Sequence, residues 1–121
     1  MPTLTLDEMS LPRVDVIKVD VEGAEYRVLK GGTQLLTRDR PAIVCEFSVE
    51  MTERVSGVRA PDFLEWIEAM GYGIFVLDRS RCEALPIETA AALLREWGDP
   101  GRIEDLLFLP PERRHLVDIA Q

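Results

Sequence analysis

Ile17-Lys18-Val19-Asp20-Val21-Glu22-Gly23-Ala24-Glu25 is an apolar run that ends in carboxylates gathered around a glycine. The chain is rich in Val and Ile from Val14 onward, so residues 14–21 read as a β-strand. Asp15 and Lys18 are its only charges before Asp20, which suits a largely buried parallel strand with its ends near water. Asp20, Glu22 and Glu25 then fall within six residues. A strand that only has to pack gains nothing from such a cluster. A strand that ends at a polar site does.

Outward from this run, strand and helix patterns alternate. Residues 23–30 read as a helix with Ala24, Val28 and Leu29 toward the core, stopped by Gly31-Gly32. A short helical turn carries Leu35 and Leu36, Arg40-Pro41 breaks the chain, and residues 42–47 read as a second strand. Residues 48–59 are polar, contain Gly57, and read as a long loop holding at most a short helical piece. Pro61 opens a helix where its missing N–H costs nothing. Asp62 and Glu65 sit near the positive end of that helix, and Phe63, Leu64, Ile67 and Met70 form its buried stripe. Gly71 stops it. Residues 72–77 read as a third strand, 78–83 as a turn, and 87–97 as a helix with Ala91, Leu94 and Trp97 facing inward. Residues 98–101 are a turn, 105–109 a fourth strand closed by Pro110-Pro111, and 112–121 a short helix or a frayed tail.

This order implies parallel strands joined by crossover helices. The expected fold is α/β: one domain over residues 1–121, with a four-stranded, mostly parallel sheet and flanking helices. Pattern alone leaves the relative direction of the last two strands open.

Composition narrows the function. At 121 residues the chain holds one small domain with a real core. Hydrophobic residues are 46% and charged residues 30%, as in ordinary globular domains. A net charge of −8, from 22 acids and 14 bases, argues against nucleic acid and anionic membrane as partners. The short basic clusters, Arg79-Ser80-Arg81 and Arg113-Arg114-His115, read as solvated charges. No apolar stretch approaches the roughly 20 residues a membrane helix needs, and no leader pattern is visible, so a cytoplasmic location is expected. Cys45 lies in an apolar run and reads as a small buried hydrophobe, while Cys82 falls in a polar turn. Cysteine and histidine spacing gives no zinc pattern, and His115 as the sole histidine gives little support to a Ser-His-Asp or Cys-His mechanism.

Ligands of open α/β sheets sit beyond the carboxyl ends of the strands. Asp20 ends the first strand and Glu46 the second; if those strands are neighbours, both carboxylates meet one crevice. Glu22 and Gly23 form the strand-to-helix turn, where Gly23 lets the backbone approach a ligand. Such carboxylates could orient or deprotonate a hydroxyl, or hold a hard divalent cation. Glu25 reads better as an acid of a helix's first turn.

The nine-residue run, with Val28-Leu29-Lys30-Gly31 and Arg40-Pro41-Ala42-Ile43-Val44-Cys45-Glu46, closely resembles the FkbM-type methyltransferase family. The lead-in Thr5-Leu6-Asp7-Glu8, the Gly71-Tyr72 junction and Leu106-Leu107-Phe108-Leu109-Pro110 are similar to that family as well, so the resemblance spans residues 3–110. It implies the last four strands of a seven-stranded, Rossmann-like class I methyltransferase sheet. The final strand would be antiparallel and inserted between the two before it. It further implies S-adenosylmethionine as cofactor and O-methylation of a small molecule such as a sugar or natural product. Asp20, Glu22 and Glu46 take catalytic positions by this resemblance, with Asp20 and Gly23 toward the cofactor and no metal.

The family's first three strands carry a glycine-rich loop for the cofactor, and no G-x-G-x-x-G stands in this chain. The expectation is therefore the C-terminal portion of a methyltransferase domain, lacking the cofactor-binding half and inactive alone. Residues 14–21 would then form an open sheet edge, to be covered by a second copy or a partner chain. A non-catalytic interaction module using that edge is the alternative. A small metal-dependent hydrolase built on Asp20, Glu22 and Glu46 is a third reading.

Overall fold

The computed structural model describes residues 4–78, 83–87 and 89–115. The Val/Ile run forms strand β1, Val16–Val19, shorter than the pattern suggests because Pro12 and Asp15 lead in and the acidic turn leads out. Helices α1 (Glu25–Lys30) and α2 (Thr33–Asp39) follow, then β2 (Ala42–Phe47). The expected loop after β2 holds a single helical turn, α3 (Val49–Met51), continued by a π-helical turn at Thr52–Ser56. Helix α4 (Ala60–Ala69) has Pro61 in its first turn and buries Phe63, Leu64 and Ile67 completely. Burying each is worth about 1.5–3 kcal/mol. Strands β3 (Gly73–Asp78) and β4 (Glu83–Pro86), helix α5 (Ala90–Arg95) and strand β5 (Glu104–Leu109) complete the order.

Two expectations need correction. The sheet has five strands, ordered β1-β2-β5-β3-β4, instead of four. Among the described residues only β1 and β2 pair in parallel; β5 runs antiparallel to both β2 and β3, and β4 pairs antiparallel with β3. The mostly parallel sheet is therefore a mixed one whose pairings are mostly antiparallel. The physical reason is insertion: β1, β2 and β3 point the same way, but β5 returns between β2 and β3 and takes both ladders. That placement of residues 104–109 is the one the family resemblance implied. The second correction is α5, which buries Ala90 and Leu93 where Ala91 and Leu94 were expected inward; Trp97 is buried as expected. Arg79-Ser80-Arg81, Cys82 and residues 116–121 lie outside the described residues.

The two sheet faces differ. Ile43, Cys45, Phe47, Ile74, Leu106 and Phe108 form one core with Leu29, Leu36, Phe63, Leu64, Ile67 and Leu93 of the helices. The opposite face carries only a small cluster of Ala42, Phe75 and Leu109, with Ala84 and Leu107 against it. No helix contributes to that second cluster among the described residues. The chain after β5 covers one end of it: Arg114 stacks over Phe75 at 5.0 Å, and Arg113 Nε donates to the Arg40 carbonyl at 2.7 Å.

Gly31 and Gly32 do stop α1, but with ordinary φ values of −70° and −112°. Their role is space. A Cβ on Gly32 would stand 2.9 Å from Leu6 Cδ1, and one on Gly31 3.1 Å from Thr5 Cβ. The lead-in thus lies directly on the α1–α2 junction. There the Asp7 carboxylate accepts from the Gln34 and Leu35 N–H groups at 3.0 and 2.9 Å. It caps α2, whose own N-cap residue Gly32 has no side chain to do so.

Candidate functional site

The parallel register places Val19 opposite Cys45, so the next residues, Asp20 and Glu46, leave neighbouring strands at the same height. Their carboxyl groups are within hydrogen-bonding reach of each other. Two carboxylates that close cannot both ionise freely, and one of them retains its proton to higher pH. Glu46 is that one. Burial first, then the charge of Asp20 and the hydrogen bond to it, push its carboxyl above the usual range, with Asp105 and Glu25 adding to the effect. Asp105 stands opposite Glu46 on β5. Carboxylates from β1, β2 and β5 thereby meet along one rim.

The turn after β1 explains why the other acids behave differently. Glu22 and Gly23 both adopt positive φ, 50° and 99°. Such values are uncommon outside glycine and mark a tightly determined turn. Glu25 is 2% exposed, and its carboxylate accepts from the Val21 N–H at 2.7 Å and the Gly23 N–H at 2.8 Å. It folds back over the turn and holds it; the acid read as a first-turn residue caps its own loop. Glu22 stays exposed on the outside of the bend.

Gly23 is required here by a close approach. A Cβ would collide with the Met51 carbonyl oxygen and sit 3.0 Å from Val55 Cβ. The Ser56 hydroxyl donates to the Gly23 carbonyl at 2.5 Å. Both backbone polar groups of Gly23 are therefore taken up within the chain, and the backbone approach it permits is to the π-helical turn. Ser56 and Met51 had no sequence signal: they reach the acidic run across more than twenty-five residues, from a stretch read as loop.

Beside this rim the sheet splits. The β3–β5 ladder ends at Val76–Leu106. Beyond it, β3 continues with β4 through Leu77–Ala84 and Asp78–Glu83, while β5 continues with β2 through Asp105–Glu46 and Glu104–Phe47. The divergence opens a cleft of about 480 Å³. Glu46, Asp105, Glu104 and Asp78 line it together with Arg102, and Val76, Leu77, Leu85 and Ile103 supply apolar walls. Arg102 is fixed at the edge by Glu104, at 3.0 Å, and by stacking over Trp97 at 4.6 Å. Sequence reading passed over Asp105. The signal was available in principle, since an antiparallel β5 beside β2 must start where β2 ends.

Among the described residues no three Asp, Glu, His or Cys side chains are grouped so that they could hold a metal ion. Among the same residues no helix is long and apolar enough to cross a membrane. Cys45 is fully buried, and burial holds its thiol well above its usual range, which keeps it a packing residue.

The open mixed sheet with helices packed against it places the chain in the α/β class, with carboxylates gathered at the carboxyl ends of its parallel strands. The chain belongs to the FkbM methyltransferase family: the model of the methyltransferase FkbM domain matches residues 1–74. The match runs from the lead-in through α4 into β3, and so contains Asp20, Glu22, Gly23, Glu25 and Glu46. No curated protein and no solved structure matches the chain.

Proposed function

We propose that this chain is the acceptor-side portion of an S-adenosylmethionine-dependent O-methyltransferase of class I fold. The observation that carries the reading is the Asp20–Glu46 pair, joined across two parallel strands at their carboxyl ends. A coupled pair with one elevated carboxyl can take a proton from an acceptor hydroxyl as that oxygen becomes nucleophilic. Glu22, exposed on the bend, serves to orient the acceptor. S-adenosylmethionine supplies the methyl group on its sulfonium sulfur, and a rim of carboxylates suits that positive charge. Asp20 is the residue proposed to face the cofactor, while Gly23 shapes the turn that presents Asp20.

The uncovered sheet face and the β1 edge support the further proposal that the cofactor's glycine-rich cradle comes from residues outside these 121. Calorimetry with S-adenosylmethionine tests this. The expected result is no measurable binding to the chain by itself. Joined to the N-terminal half of an FkbM-type domain, the chain should bind cofactor and transfer methyl to an alcohol, and Asp20→Asn should abolish transfer while leaving the protein folded. Micromolar binding by the chain alone would overturn the division of the site. Full transfer by the Asp20→Asn protein would overturn the role of the pair.

The open edge also favours a second reading, in which the chain joins a partner without catalysis. Val16 on that edge is 60% exposed although it is apolar. A folded chain that forms a stable complex through β1 yet never transfers methyl when joined to a cofactor half would establish it.

A further inference from the structure

Glu25 takes no part in the proposed proton transfer, yet it is the one acid of the run that the fold buries. A buried carboxylate is costly unless its oxygens are hydrogen-bonded. Here the turn itself meets that need. Glu25 Oε2 accepts from the Val21 N–H at 2.7 Å and Oε1 from the Gly23 N–H at 2.8 Å. Two backbone donors, two residues apart, converge on the two oxygens of one side chain.

The first of these bonds bears directly on Asp20. The Val21 N–H belongs to the planar peptide unit that follows Asp20, so its direction is set by the ψ angle of Asp20. The chain before Asp20 is held by the ladder, where buried Val19 stands opposite Cys45. With both flanks held, the Cα–Cβ bond of Asp20 has one direction, and only the side-chain rotamer is left to meet Glu46. The second bond holds the far side of the turn. Glu22 sits there at a φ of 50°, which a non-glycine residue keeps only where its surroundings over-determine it. The residue type matters for the same reason. Glutamine has one acceptor oxygen, and its NH₂ group would face an N–H donor. Aspartate has both oxygens on a stem too short to bridge the two donors from the same place.

We infer that Glu25 is a positioning residue: by bridging the Val21 and Gly23 N–H groups it sets where the Asp20 carboxyl stands against Glu46, without itself touching substrate or cofactor. The positioning stands on the geometry of the chain alone. Its consequence for methyl transfer rests on the proposed function.

The test measures how strongly Asp20 and Glu46 sense each other. Carbon-13 carboxyl spectra of the full chain, followed against pH, give the Glu46 midpoint with and without Asp20→Asn. Asp105 on β5 and Glu25 on α1 also act on Glu46. Their charges are the same in both members of each comparison and cancel from the difference. In the parent, Asp20→Asn should lower the Glu46 midpoint. In Glu25→Gln, and equally in Glu25→Asp, less than half of that displacement should remain. Ser56→Ala loosens the same turn at the Gly23 carbonyl, three residues beyond Asp20, and should keep the displacement whole. Full displacement in a folded Glu25→Gln protein would overturn the inference. So would its retention in Glu25→Asp alone, which would leave only a charge effect, or an equal loss in Ser56→Ala, which would mean that any loosening of the turn suffices. Hydrogen exchange in the unmutated chain decides the matter even where a variant fails to fold. Protected Val21 and Gly23 amides support the bridge, and amides exchanging as freely as an open loop overturn it. Joined to a cofactor half, Glu25→Gln should lower kcat at least tenfold. A joined enzyme that never transfers methyl while the displacement pattern holds would overturn the transfer reading and leave the positioning in place.

Discussion

At the scale of single residues, the acidic run divides by what each carboxylate touches. Glu25 is withdrawn from solvent and spends both oxygens on backbone N–H groups of its own turn. Glu25→Ala leaves those two donors without their acceptor, and each buried unmet donor costs about 1–3 kcal/mol. The expected loss in urea unfolding is about 2–4 kcal/mol, enough to melt the turn that carries Asp20. A variant as stable as the parent would show that the turn holds without its carboxylate. Glu46 behaves in the opposite sense. Its carboxyl is raised from an ordinary value of 4.5, so the folded state prefers it protonated. The stability it contributes is full below that ordinary value and is lost as pH rises through the elevated one. Glu46→Gln should therefore raise the melting temperature at pH 7, with the advantage fading as the pH falls below 4.5. A Glu46→Gln protein that melts lower at neutral pH would mean that the ionised carboxylate is held favourably after all.

At the scale of elements, what holds each piece in place is often supplied from far away in sequence. Helix α2 has seven residues and no cap of its own; Asp7 caps it from 27 and 28 positions upstream. Asp7→Ala should destabilise the chain by about 1 kcal/mol, with Asp7→Asn recovering only part of the loss because its one amide oxygen replaces two acceptors. Equal stability of both variants in urea would show that water serves α2 equally well. This contact also marks the limit of what local pattern can tell. The strands at residues 42–47, 73–78 and 104–109 were legible because Val, Ile, Leu and Phe runs are bounded by Pro and Gly. Strand β4 was not: its four residues, Glu83–Pro86, end in proline and show no alternation, and only pairing with β3 makes them a strand. Periodicity likewise cannot say which strand lies beside which, so the insertion of β5 and the cleft it opens were invisible to it. Three consecutive alanines, Ala90-Ala91-Ala92, gave α5 no face to read, and its buried side came out one residue away from the expected one. The positions of Asp20 and Glu46 at the carboxyl ends of β1 and β2 were legible because a residue that closes a strand needs no tertiary information to be placed there. Asp105 and Ser56 needed that information.

At the scale of the whole molecule, the described residues cover one face of the sheet and leave the other largely bare. Val44, Leu77, Ala84 and Leu107 keep partial exposure on the bare face, and β1 adds an edge on which Val16 is 60% exposed. A domain of this size has only about 5–15 kcal/mol of stability, so an uncovered apolar face is a strong reason to associate. The net charge of −8 works against two copies meeting and in favour of a partner that is less acidic. These two forces predict a particular salt response. Screening removes the repulsion between like chains but leaves apolar contact intact, so self-association should rise with ionic strength. An interface built from ion pairs would weaken instead. Sedimentation velocity at low and high salt distinguishes the two. Val16→Lys places a charge on the β1 edge at a site too exposed to affect folding by more than about 0.5 kcal/mol. It should weaken association at least about tenfold, about 1.4 kcal/mol, if the edge is the contact. Weakening by a charge at Leu107 and not at Val16 would move the contact from the edge to the bare face. A chain that stays monomeric at every salt concentration, including where the repulsion is screened, would show that neither the bare face nor the β1 edge drives self-association.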